Sequence, residues 1–250
     1  MIHQPVRLAC IIALSAFYAS AAFAGEVKSV DPRAEDILTQ MGEYLAAAAE
    51  FSFKAEVTTD EVNVGIYKIH TTEQIEAVLR RPDKMRLDER GDLHEKSFWY
   101  DGKNASLLSY AEDMYATVKT ASTIEVMLDE MMEKYGVTSP VVDFLVDRPH
   151  KDLLSAVTGG LYAGLHKVDG ISCHHLAFIQ ENMDWQIWID AGKKPVPRKF
   201  IVTYKNEPGS PEVITLFKDW DFSEEHPDKH FEFTAPKSAR QIDFLPLTRM

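Results

Sequence analysis

Ser122-Thr123-Ile124-Glu125-Val126-Met127-Leu128-Asp129-Glu130-Met131-Met132-Glu133-Lys134-Tyr135-Gly136 reads as a helix set among strands, and the architecture follows from that contrast. Ile124, Met127, Leu128, Met131 and Tyr135 recur at three- and four-residue spacing and make one apolar face. Ser122 with Glu125 reads as a capping box, and Gly136 as the stop. Ser139-Pro140 starts a second short helix carrying Val141, Val142, Phe144 and Leu145, which Pro149 ends. A third turn of helix is predicted over 151–157. The three together make a helical insert at about 122–157.

On both sides of that insert the hydrophobic period is two. Phe51, Phe53, Ala55 and Val57 alternate with Ser52, Lys54, Glu56 and Thr58, as on a half-buried strand. Ile75, Ala77 and Leu79 continue the pattern, as do Met85 and Leu87. From Lys96 to Lys119 short strands alternate with turns, of which Asp101-Gly102 is the clearest. After Gly159-Gly160 further strands are predicted at about 161–168, 171–180, 184–190, 198–205, 212–222 and 231–235. A helix precedes them all: Asp31 is its N-cap, Pro32 its first residue, and Ile37, Leu38, Met41, Tyr44 and Leu45 its apolar stripe.

Strands joined by tight turns make an antiparallel meander. Ile171 to Ile179 is apolar on both faces, which calls for cover on both sides. A strongly curved sheet wrapping helices on its concave side meets this need. The expected fold is therefore mainly β with helices (α+β), one domain over 25–250, an antiparallel half-open barrel closed by a lid of short helices.

The chain begins with Arg7, a nearly unbroken apolar run from Leu8 to Ala19, and Ala22-Phe23-Ala24. These are the parts of a secretory signal cleaved after Ala24, too short for a membrane span. Cys10 precedes most of the apolar run, whereas a lipid-attachment cysteine follows it. A soluble periplasmic protein with no cofactor and no stable membrane insertion is expected. The 250 residues carry 27 basic and 39 acidic side chains, a net charge of −12, and losing Arg7 makes it −13. Such acidity argues against nucleic acid, which calls for clustered Lys and Arg. Only Cys173 survives cleavage, so no internal disulfide forms, and a buried thiol acting as a small hydrophobe is its expected role.

Arg81-Pro82-Asp83-Lys84-Met85-Arg86, followed by Trp99-Tyr100-Asp101-Gly102-Lys103, resembles the Arg-Pro…Arg…Asp-Gly-Lys stretch of periplasmic lipoprotein carriers of the LolA/LolB type. A closer resemblance, running from Asp31 to Leu247, is to the exported family called domain of unknown function 2092. Phe98-Trp99-Tyr100-Asp101-Gly102-Lys103, Asp184-Trp185-Gln186-Ile187-Trp188-Ile189 and Pro197-Arg198-Lys199 carry it. The carrier resemblance implies a hydrophobic cavity between barrel and lid that takes up acyl chains, with Arg81 tying the lid to the barrel.

Met127, Met131 and Met132 offer flexible, polarizable surface to an irregular apolar ligand, though the same stripe equally suits core packing. The expected ligand-binding set is Phe98, Tyr100, Met127, Met131, Phe144, Leu145 and Trp185, with Arg81 and Arg86 against the lid. Trp188 stands apart, facing away with Gln186 and Asp190. No metal site is expected. His174 and His175 point to opposite faces of a strand, and Pro227 disturbs the His226/His230 spacing. No Gly-x-Ser-x-Gly elbow, phosphate loop or cysteine pair is present. The leading function is a non-enzymatic carrier of a lipid, acyl chain or lipoprotein anchor, with an envelope protein as a possible partner. Its competitors are an envelope hydrolase using the same cleft and an interaction module with a filled core.

Overall fold

The computed structural model describes residues 29–63, 67–120 and 122–247. The signal segment and its cleavage point lie outside these residues. Helix α1 (Pro32–Ala47) starts where expected, with the Asp31 carboxylate accepting from the Arg33 N–H at 2.8 Å and Pro32 at the first position. It buries Ile37, Leu38, Met41 and Leu45 and ends at Ala48, whose extended backbone feeds the first strand.

Among the described residues twelve strands then form one sheet. The first half is an antiparallel meander: β1 (Glu50–Asn63), β2 (Tyr67–Arg80), β3 (Lys84–Gly91), β4 (Glu95–Tyr100), β5 (Asn104–Ser109) and β6 (Met114–Lys119). The second is β7 (Gly159–Val168), β8 (Ile171–Ile179), β9 (Met183–Asp190), β10 (Pro197–Tyr204) and β11 (Glu212–Asp221). The halves meet where β11 pairs antiparallel with β1, opposing Val57 to Thr215 and Ala55 to Phe217. A short β12 (Arg240–Ile242) adds parallel to β6, giving the order β12-β6-β5-β4-β3-β2-β1-β11-β10-β9-β8-β7.

This order explains the lid. The chain leaves β6 near one edge of the sheet and re-enters at β7 on the opposite edge, so residues 120–158 have to cross the whole sheet. They cross on the apolar, concave face. Along β1 to β3, Phe51, Phe53, Ala55, Val57, Ile75, Ala77, Leu79, Met85 and Leu87 are buried there, at alternate positions set in register by the ladder. In the crossing lie α2 (Ile124–Tyr135), a 3-10 turn at Val142–Phe144 and α3 (Pro149–Leu154). Helix α3 packs on α1 so closely that a Cβ on Gly42 would lie 2.2 Å from His150 Nδ1.

Several expectations shift. The N-cap of α2 is Thr123, whose hydroxyl accepts from the Val126 N–H, and not Ser122. Gly136 ends the helix in the left-handed region (φ 66°), as its lack of a Cβ allows. The second helix shrinks to a single 3-10 turn, and Pro149 begins α3 instead of ending its predecessor, because its fixed φ suits a first helical position. No strand forms at 231–235. Asp228–Phe231 is a 3-10 turn held by Arg80, which donates to the His226 carbonyl at 2.9 Å and to Asp228. The outer face is also barer than expected, with Leu161 and Ile179 exposed.

Candidate functional site: a lidded cavity on the concave face

Between the first half of the sheet and the lid lies a cavity of about 180 Å³. Its floor is built by three neighbouring strands. Leu87 of β3 opposes Phe98 of β4, which opposes Leu107 of β5, and Met85 lies beside them. Its roof is Leu128 and Met131 of α2 with the segment Gly136 to Ser139 and Val142. Glu89 and Lys96 add two charges at one end, and they too are a cross-strand pair. The Ser139 hydroxyl is buried in the wall and makes no hydrogen bond among the described residues.

The roof is fastened at several points. The Pro82 carbonyl, in the β2–β3 turn, accepts from the Ile124 N–H at 2.9 Å and so holds the start of α2. Arg81, one residue earlier, donates to the Val146 carbonyl at 3.0 Å and pairs with Asp147. One tight turn thus grips the lid before and after its long helix. Burial lowers the pKa of the Arg81 guanidinium and the charge of Asp147 opposes that shift. The far end of α2 lies under the chain's C-terminal segment: Phe244 packs on Tyr135 with ring centroids 5.2 Å apart, and the Leu247 N–H donates to the Lys134 carbonyl at 2.7 Å.

The residues expected to line the site divide. Phe98 and Met131 lie in the cavity wall. Tyr100, Met127, Phe144, Leu145 and Trp185 are wholly enclosed in the core beside it. Phe144 meets Phe217 and Phe200 edge to face at 4.9 and 5.2 Å, and Trp185 stacks on Phe178 at 4.2 Å. Enclosure pushes the Tyr100 phenol up to about 12, with the charge of Asp83 adding to it. Arg86 needs correcting: the pleat turns it away from Met85 and Leu87 to the outer face, where it pairs with Asp88 at 2.9 Å and lies over Trp99. Trp188 is held on that outer side between His175, stacked at 3.9 Å, and Lys199. Sequence reasoning missed Leu87, Leu107, Leu128, Glu89, Lys96 and Ser139, since only strand register and the lid's path bring them together.

Other reactive side chains are elsewhere engaged. His174 contacts the Tyr162 hydroxyl at 3.1 Å, while His175 meets His166 and Gln186. Cys173 is buried, and that burial, with the charge of Asp190, raises its thiol to about 11. The thiol is then held in its protonated, unreactive form at neutral pH. A thiol-selective reagent should therefore leave the native protein unlabelled and modify it fully in denaturant. Rapid labelling of the native state would show that Cys173 is accessible.

An open antiparallel sheet with a helical lid over its apolar inner face is a half-barrel architecture. The chain belongs to the family described as predicted periplasmic protein (DUF2092), whose model matches residues 34–245. No curated protein matches the sequence. Among solved structures, the lipoprotein LppX of Mycobacterium tuberculosis is similar at 17% identity and a TM-score of 0.49, over 78% of this chain and 98% of its own. A LolA superfamily protein of Nitrosomonas europaea matches at 8% identity and 0.41, over 80% and 97%. MucB, in its complex with MucA from Pseudomonas aeruginosa, matches at 14% identity and 0.45, over 81% and 62%. Among the described residues no helix is long and apolar enough to cross a membrane.

Proposed function

We propose that the protein is a periplasmic carrier or binding protein for one hydrophobic ligand: a lipid, an acyl chain or the lipid anchor of another protein. In this reading residues 1–24 are removed on export and no cofactor takes part. The supporting observation is the unfilled apolar space between β3–β5 and α2, where a packed interaction module would have side chains. A hydrolase is less well supported, because Ser139, the buried hydroxyl in the wall, has no base hydrogen-bonded to it among the described residues.

The size of the cavity sets a condition on binding. A dry cavity of roughly 150 Å³ takes a benzene-sized ligand, about six carbons. At about 0.8 kcal/mol per methylene that yields about 5 kcal/mol, while micromolar affinity requires about 8 kcal/mol. A long acyl chain is therefore accommodated only if the lid yields. An envelope protein that receives or delivers the ligand would act on the same lid.

Titrating the exported protein with a fluorescent long-chain fatty acid should give saturation at one site. Leu128→Trp, which fills the space from the partly buried side of α2, should weaken binding by about tenfold or more while the β-rich circular dichroism persists. A folded protein that shows no saturable binding to any acyl ligand or lipopeptide would sink the carrier reading.

A further inference from the structure

Glu73 of β2, Glu89 of β3 and His94 of the β3–β4 turn bring one donor atom each to within 4.8 Å of one another. The ladder causes this. Ile75 opposes Glu89, so Glu73 projects from the same face one step further along, and the turn folds His94 back over both. Glu89 is 5% exposed and Glu73 15%, far less than carboxylates ordinarily are.

Their mutual geometry is unusual for an ion-pair cluster. His94 Nε2 lies 2.9 Å from Glu73 Oε2 and 3.8 Å from Glu89 Oε2. All three atoms are buried, and the contacts that hold them are ion pairs. Lys96 Nζ is 2.8 Å from Glu89 Oε2 and supplies one positive charge from a side chain 31% exposed. Two acids thus share one fixed cation.

We propose that Glu73, Glu89 and His94 form a binding site for a single Zn²⁺ ion. Zinc takes carboxylate oxygen and imidazole nitrogen at about 2.0–2.2 Å, which places tetrahedral donors about 3.4 Å apart. The observed 2.9 and 3.8 Å straddle that separation. Two carboxylates and a neutral imidazole balance the ion's charge, and the ion would take the place of the close contacts among these three buried atoms. A set of one nitrogen and two oxygens favours zinc over magnesium or calcium, which demand more oxygen ligands. Lys96 competes for Glu89 and swings to solvent when the ion enters. The fourth coordination position is left to water or to a donor group of a bound molecule, since Glu89 also belongs to the cavity wall. The site stands on its own geometry and does not depend on what the cavity holds.

The test is a zinc titration of the full exported protein, stripped with a chelator, in competition with a chromophoric zinc indicator. One equivalent should bind, with an X-ray absorption spectrum of nitrogen and oxygen neighbours only, and magnesium should not compete. His94→Ala and Glu89→Gln should each weaken binding by about tenfold or more. Lys96→Met should tighten it several-fold by removing the competing ammonium, an effect that no surface histidine site would show. His166→Ala, in the exposed histidine pair on β7 and β8, should change nothing. Failure to bind zinc, undiminished binding in His94→Ala, or weaker binding in Lys96→Met would overturn the assignment. The wild-type titration and the His94→Ala comparison decide the matter even where Glu89→Gln does not fold, because His94 is partly exposed and its loss spares the core.

Discussion

Phe144→Ala is expected to lower the stability of the protein by about 3–5 kcal/mol, the usual cost of emptying a buried aromatic site. Phe144 is fully enclosed and meets Phe200 of β10 and Phe217 of β11 edge to face. It is where the lid is pinned to the second half of the sheet. The alanine leaves a hole that the 3-10 turn around it cannot close, because Val141 and Leu145 on either side are also wholly buried. Urea denaturation reads the loss as a shift in midpoint at unchanged slope. The same variant separates a core role from a ligand-lining one: affinity for an acyl probe per folded molecule should stay within about twofold, since the cavity is built on β3–β5. A stability loss below about 1 kcal/mol would mean that the site collapses around the missing ring.

Arg81→Leu should act on the lid and spare the sheet. Arg81 is 13% exposed, and its guanidinium holds both the Val146 carbonyl and Asp147. Asp147 is 56% exposed, so water screens the charge–charge part of the bond. The Arg81 Nε is buried without a partner among the described residues, and leucine removes that cost while keeping the apolar stem. What remains is a loss of about 1–2 kcal/mol, concentrated where the hydrogen bonds were. Amide exchange across 122–157 should accelerate about tenfold while β1, β2 and β11 keep their protection. The Pro82–Ile124 backbone bond survives the substitution, so the lid should stay hinged at its start. Acyl probes should bind faster to this variant if lid opening limits entry. Equal exchange in parent and variant would reduce Arg81 to an ordinary paired charge.

Where local pattern alone carries the information, the sequence reading matches the structure. α1 begins at the residue that the Asp31-Pro32 cap specifies, and β1 to β3 bury every second residue that the alternation marks. Errors gather in short elements. The second helix of the lid is one turn, and no strand forms at 231–235, where the chain leaves a 3-10 turn (Asp228–Phe231) that Arg80 holds from another strand. In pieces this short, a single tertiary contact outweighs intrinsic preference. The binding residues show the same division. An apolar side chain on the inner face is recognisable from its period, but enclosure and cavity lining look alike in a sequence. Phe98 and Met131 reach open space, whereas Met127 and Phe144 do not. Arg86 could be placed only by fixing the register of β3, which turns it outward beside Asp88.

The periods, the caps and the order of helix, strands, helical insert and strands are all written in the chain. They are near-neighbour properties, set by backbone geometry and by which side chains must leave water. The rest came from long-range pairing. Joining β11 to β1 put β6 and β7 near opposite edges of the sheet, and so drew the insert across the concave face as a lid. The register of β2, β3 and β4 then set Leu87 against Phe98 and gathered Glu73, Glu89, His94 and Lys96 at one end. Glu73 and Glu89 lie on different strands, as do Leu87 and Phe98. Only the hydrogen-bond ladder, where a slip of one residue would turn each side chain to the other face, makes them neighbours.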